Sequence, residues 1–183
     1  MKKIVYQKPD GGIAVVHPAE GARLAMSIEL EDGTKLSGGP APVDTFLRRW
    51  PVDGATVEWA ETEEEFLRRI AAKDAPSGAS IVDAASIPTD RTFRDAWKIA
   101  GTKVDVDMEK AREIHRERLR AMRAPRFVAL DIAYLRADES GDVAAKLSIT
   151  ATKQELRDVP AHPSIAAAKT PEELKAAIPE VLK

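Results

Sequence analysis

The stretch DMEKAREIHRERLRAM, residues 107–122, decides the fold class. Asp107 reads as a helix N-cap. Behind it Met108, Ala111, His115, Leu119 and Met122 fall on one stripe, with Ile114 at its margin, which is the pattern of an amphipathic helix. Pro125 removes a backbone donor and crowds the preceding turn, predicting a kink or break near Arg123–Pro125. Phe127, Leu130, Tyr134 and Leu135 carry the apolar face on to about Glu139. Ser140-Gly141-Asp142 then stops one helix and starts another. Val143–Asp158 is expected to return antiparallel, with Leu147, Ala151 and Leu156 apolar, until Pro160 and Pro163 end it. Thr170-Pro171-Glu172-Glu173 is a capping box with proline at the first helical position, so a last helix covers Pro171–Ile178.

The amino-terminal half is different material. Lys2–Gln7 and Ile13–His17 are β-leaning runs around Asp10-Gly11-Gly12, and Ala25–Leu30 and Thr34–Leu36 flank Asp32-Gly33; both are hairpin signals. Ser37-Gly38-Gly39-Pro40-Ala41-Pro42 reads as a loop. Asp44 can cap a short helix, Thr45–Trp50, ended by Pro51. Ala55–Ala60 alternates as a strand. Thr62-Glu63-Glu64-Glu65 is a capping box opening a helix over Glu63–Lys73, with Phe66, Leu67 and Ile70 on one face and acids ahead of bases, as the helix dipole favours. Ser80–Val82 is a further short strand. The expected fold is α+β. Residues 1–86 form a small module of β-hairpins and meander strands with short helices. Residues 87–183 form a helical region of linker helix, α-helical hairpin and terminal helix.

Composition bounds the function. The chain has 183 residues and net charge −2, too near neutral to argue for nucleic acid by bulk electrostatics. It has no cysteine, which removes disulfides, thiol catalysis and cysteine-bound metals. Aromatic residues make up 5%, arguing against a large stacking pocket. No apolar run reaches the length of a membrane span, and the opening MKKIVYQKPDGG does not fit a signal peptide, so a soluble protein without membrane attachment is expected.

Catalysis needs convergent groups. His17, His115 and His162 are far apart in sequence. None sits in a His-x-x-x-His or His-Glu-x-x-His pattern, and His115 reads as a packing histidine. Asp105-Val106-Asp107 and Glu31-Asp32-Gly33 are too sparse for a calcium loop. There is no Gly-x-Ser-x-Gly and no glycine-rich phosphate loop. The expectation is a non-enzyme without cofactor or metal. Lys110–Arg126 holds seven Lys/Arg and two Glu. Pairs such as Glu109 with Arg112, Glu113 with Arg116 and Glu117 with Arg120 mark it as a solvated face or helix–helix flank, with a phosphate-binding face as the rival.

Ile87–Trp97, IPTDRTFRDAW, stands at the junction of the halves. It reads as a short helix from a Thr89 or Asp90 cap to about Ile99, ended by Gly101. Phe93 and Trp97 would share one face, with Arg91 and Asp95 paired at i,i+4. One reading is a linker helix docked on its own core by Phe93 and Trp97; the other is an adhesive helix, because aromatic anchors rimmed by arginine are interface hot-spot composition, making Arg91, Phe93, Arg94 and Trp97 the candidate interface residues. The segment Pro88–Trp97 resembles a signature of small accessory proteins encoded by tailed bacteriophages and prophages, often near tail genes. The resemblance extends through 106–115, 130–137, 153–158 and 170–175. It implies a virion structural protein of the tail or tail fibre that acts by protein–protein assembly. Its partners would be other phage structural proteins and further copies of itself, in the virion and, during assembly, in the host cytoplasm. A tail-fibre assembly chaperone absent from the finished particle and a nucleic-acid-binding regulator are the alternatives.

Overall fold

The computed structural model describes residues 2–46 and 54–183. Its α+β architecture places antiparallel sheets first and helices after. Strands β1 (Lys2–Gln7), β2 (Ile13–Val16), β3 (Leu24–Glu29) and β4 (Lys35–Pro42) lead into helix α1 (Val43–Phe46). Then come β5 (Thr56–Trp59), helix α2 (Glu63–Asp74), β6 (Ser80–Asp83), β7 (Trp97–Ala100) and β8 (Lys103–Val106). Helices α3 (Met108–Glu139), α4 (Val143–Asp158), α5 (Pro163–Ala167) and α6 (Pro171–Ala176) complete the chain. Contacts divide it into two compact units, Met1–Thr89 with Lys98–Asp105, and Asp90–Trp97 with Val106–Lys183.

In the first unit both Asp-Gly hairpins form. The Asp10 and Asp32 carboxylates accept the amides of Gly12 (3.0 Å) and Thr34 (2.9 Å), fixing each turn locally. One sheet has the order β2-β1-β6, the other β4-β3-β5. The α2 capping box is complete. Thr62 Oγ1 accepts the Glu65 amide at 3.2 Å, and the Glu65 carboxylate accepts the Thr62 amide at 2.8 Å. The cap sets α2 so that Phe66, Leu67 and Ile70 bury against Ile4. Beneath it lies a polar staple. The nearly buried Glu61 carboxylate accepts Arg69 Nη2 (2.6 Å), Arg69 Nε (3.0 Å) and the Leu24 amide (2.8 Å), joining α2 to β3.

The expected loop at Ser37–Pro42 is instead the larger part of β4, paired through Leu24↔Pro42 and Ala25↔Ala41. Two features permit it. The register shifts between Ala25 and Ser27, and β4 is an edge strand, where a missing proline donor costs nothing. Glycine is needed at 39, because a Cβ there would stand 2.2 Å from the Ala25 carbonyl oxygen. The short helix expected over Thr45–Trp50 begins earlier, at Val43. The rest of the expected span, Leu47–Trp50, and the expected stop at Pro51 lie outside the described residues.

In the second unit α3 runs unbroken over 32 residues, through Pro125. The expected break does not occur, and tertiary bonds hold the helix on both sides of the proline, from Arg123 and from Arg126. Asp107 caps α3 by accepting the Glu109 and Lys110 amides, and Asp142 caps α4 by accepting the Ala145 amide. Helix α4 returns antiparallel, as Lys153–Asp131 (2.7 Å) and Lys146–Asp138 (2.5 Å) show. The core gathers Phe93, Leu119, Leu156, Ile165 and Leu174. Met122, Leu135 and Leu147 were expected on the packed faces; they are 43%, 61% and 68% exposed. The terminal helix stops at Ala176, two residues short of expectation. Helix α5, which has no counterpart in the sequence reading, starts on Pro163 with His162 as its cap. Among the described residues no helix is long and apolar enough to cross a membrane.

Two outcomes follow. Gly39→Ala lowers unfolding free energy by about 1–3 kcal/mol, the usual cost of forcing an atom into packed space, in denaturant titration. Glu61 is held below the usual carboxylate range first by its bond from Arg69, against the opposing effect of burial. Its folded form therefore binds a proton less tightly than its unfolded form. The stability it confers is complete above the unfolded value, about pH 4.3, and is lost as pH falls through the lower folded value. Glu61→Gln should show a shallower loss of Tm than wild type between about pH 5 and pH 2.

Candidate functional site

Pro88–Trp97 is not a helix. Its Asp90 Oδ1 accepts the Thr92 amide at 2.8 Å, a side-chain turn that competes with helix nucleation. Asp90 Oδ2 takes Lys175 Nζ at 2.5 Å. The bond from Lys175, with those from Thr92, holds the Asp90 carboxyl well below the usual carboxylate range. Only Arg94–Ala96 makes a 3₁₀ turn, and the chain then enters β7. Gly101 does not end a helix. With φ +63° it occupies the first position of the two-residue connection between β7 and β8, where a II′ hairpin turn demands positive φ. The Arg91–Asp95 helical pair consequently does not form. The missed signal was the alternation of Ile99, Val104 and Val106 around Gly101-Thr102.

Phe93 and Trp97 are 2% and 3% exposed. They are packed inside their own chain, so they do not stand out as surface anchors. Phe93 meets the His115 ring edge-on, at 6.3 Å between centroids and 66° between planes. The Arg118 guanidinium lies over the Phe93 ring at 5.3 Å and donates to the Thr92 carbonyl. The segment is thereby fastened to α3 and α6. Arg91 and Arg94 remain exposed, and neither has a side-chain partner among the described residues. Of the four candidate interface residues, these two face solvent.

The charged stretch Lys110–Arg126 has another use. Arg112 Nη2 donates to the Ala168 carbonyl (2.9 Å), just past α5. His115 Nε2 donates to the Ala177 carbonyl (3.0 Å), just past α6, which places the proton on Nε2. Arg123 Nη1 reaches the Leu156 (2.9 Å) and Arg157 (2.8 Å) carbonyls in the last turn of α4. Arg126 reaches the Val181 carbonyl and, at 2.8 Å, that of Leu182. Carbonyls at helix ends lack intrahelical donors, so side-chain N–H groups suit them, and the negative end of the dipole favours the charge of the three arginines. Arg116 and Arg120 pair with Glu113 and Glu117, as the spacing predicts. Glu109 does not take Arg112, because the Ala168 carbonyl does. Residues 112, 115, 123 and 126 share the helix face of Leu119. Basic groups falling on the apolar stripe were the available signal for this role.

The remaining histidines are structural or peripheral. His162 Nδ1 sits 2.7 Å from Ser164 Oγ and caps α5, beside a groove of about 430 Å³ that includes Glu155, Asp158 and Glu180. His17 is exposed. In the first unit a cleft of about 190 Å³ is bounded by Lys2, Arg23, Trp59 and Phe66, with the Arg23 guanidinium stacked 4.1 Å over the Trp59 ring. Among the described residues no group of three or more His, Asp or Glu is placed to hold a metal ion. Compared with protein-family models, with curated proteins and with solved structures, the chain matches none.

The capping role separates the arginines. Arg126→Ala should lower unfolding free energy by about 1.5–3 kcal/mol, the range for hydrogen bonds to a charged group, and should speed amide exchange at residues 181–183. Arg120→Ala, which loses only a solvent-exposed pair, should cost less than about 0.5 kcal/mol. Equal effects from the two variants would refute the distinction.

Proposed function

We propose that this chain is a structural component of a tailed-bacteriophage virion, associated with the tail or tail fibre and acting through protein–protein assembly rather than catalysis. The reading begins from the resemblance carried by Pro88–Trp97. The observation that carries it here is the condition of that segment. The buried Phe93 and the Asp90–Lys175 bond fasten it to the helical unit, while Arg91 and Arg94 are held outward without side-chain partners among the described residues. A rigidly fastened loop presenting two uncommitted guanidinium groups suits recognition of acidic or carbonyl-rich surfaces on a neighbouring subunit.

The use of charge along α3 supports assembly over nucleic-acid binding. Arg112, Arg118, Arg123 and Arg126 are engaged by carbonyls of their own chain, and Arg116 and Arg120 by glutamates. A phosphate backbone would have to compete with each of these contacts.

The decisive experiment is quantitative mass spectrometry of particles from the phage or induced prophage that encodes the chain. Recovery in fixed ratio to known tail subunits is the expected result. Presence in the lysate with absence from purified particles would replace the structural role with that of an assembly chaperone. The double variant Arg91→Glu/Arg94→Glu, altering exposed side chains only, should keep wild-type Tm within about 2 °C and incorporate at less than about one tenth of the wild-type level. Normal incorporation would remove this loop from the interface.

A further inference from the structure

The end of the α3–α4 hairpin is closed by ion pairs and leaves a row of apolar side chains outside. Lys153, 14% exposed, pairs with Asp131, Lys146 pairs with Asp138, and both ammonium groups lie over the Tyr134 ring at 4.9 and 5.6 Å. Facing outward are Val128, Ile132 and Leu135 of α3, 61%, 49% and 61% exposed.

The outward residues have a definite period. With the exposed Ala121 and Pro125 they run 121, 125, 128, 132, 135, alternating steps of four and three. That is a 3.5-residue repeat over two heptads, the spacing at which one helix meets another along a seam. Ala121, Val128 and Leu135 take the d positions, and Pro125 and Ile132 the a positions. The flanking residues then identify the partner. One flank carries Asp131 and Asp138, and the other carries Arg136. In a parallel pair the residue at g meets the residue five positions later, at e of the other helix. Asp131 is at g and Arg136 is five later, at e. Two-fold symmetry repeats the bond on the other side. Asp131 Oδ1 accepts Lys153 Nζ and the side chain stays 64% exposed, which leaves room at its second oxygen, and the Arg136 side chain has no partner among the described residues. Antiparallel pairing would instead set acidic flank against acidic flank.

We infer that the outer face of α3, from Ala121 to Leu135, is a self-association seam on which a second copy of this chain pairs in parallel, closed by reciprocal Asp131–Arg136 ion pairs. This deepens the assembly reading by naming one partner. The helix is already folded, so pairing carries no helix-forming cost. The seam is about 21 Å long, which makes a weak contact suited to multiplication in an assembly.

The full chain is tested by sedimentation equilibrium from about 1 µM to 1 mM, together with oxidative cross-linking. A monomer–dimer equilibrium is expected. Ile132→Glu should weaken it by about tenfold or more with unchanged circular dichroism. The chain has no native cysteine, so Val128→Cys and Leu135→Cys can each be oxidised separately. Both d positions face their own symmetry mate in a parallel pair, and both should give covalent dimer well above an exposed α4 control, Ser148→Cys. A wild-type monomer throughout, cross-linking at only one of the two positions, or an Ile132→Glu dimer of wild-type affinity would overturn the seam. A chain that stays monomeric yet is recovered in fixed ratio from particles would overturn it too, leaving the virion reading intact.

Discussion

The second unit depends on one kind of bond, a side-chain N–H of α3 donating to a carbonyl at the end of another helix. The segment from Leu156 to Leu182 consists of a helix end and several short turns. Helices of five or six residues, such as α5 and α6, have no stability of their own. Each leaves carbonyls without donors. Arg112, His115, Arg123 and Arg126 supply them, and these residues lie on the face that also buries Leu119. The apolar contacts of Ile165, Leu174 and Leu182 bring the turns to α3, and the donors fix where each one ends. The same bonds flank Pro125, through which α3 continues unbroken: Arg123 on one side and Arg126 on the other each hold carbonyls of a distant segment.

The first unit solves a similar problem with a carboxylate. Strand pairing and the α2 stripe dictate which faces bury but not how far α2 slides along its sheet. Glu61 ties Arg69 of α2 to the Leu24 amide at the start of β3, and Arg23 donates to the Glu61 carbonyl at 2.8 Å. In both units hydrophobic burial provides the gross driving force, and a few charge-assisted bonds select one arrangement among those the apolar pattern permits.

Charged side chains therefore divide into three populations with different meanings. Those on the inner face of α3 and at Glu61 hold the fold. Those on its polar margin, Arg116 and Arg120, pair with neighbouring glutamates along the helix. Arg91, Arg94 and Arg136 are held outward on well-fixed backbone. The last group, together with the outward Val128, Ile132 and Leu135, is where this surface is most unlike that of a self-sufficient monomer.

By itself the sequence determined whatever depends on neighbours within about four residues. The turns of the Asp-Gly hairpins, the Thr62–Glu65 box, the Asp107 and Asp142 caps and the Val143–Asp158 helix are all of that kind, because their hydrogen bonds close locally, and the order of such elements was enough to give the α+β class. Tertiary structure decided the rest. Ser37–Pro42 became a strand because β3 offers a shifted register to pair with. Pro125 stayed helical because distant carbonyls hold its flanks. Thr89–Ile99 gave up its helix to an Asp90 turn anchored by Lys175, eighty-five residues away. Spacing identified Phe93 and Trp97 as important, but only packing could decide that they point inward. The arginines of α3 carried no visible label in sequence, since a donor aimed at a carbonyl fifty-six residues on looks the same as one aimed at water.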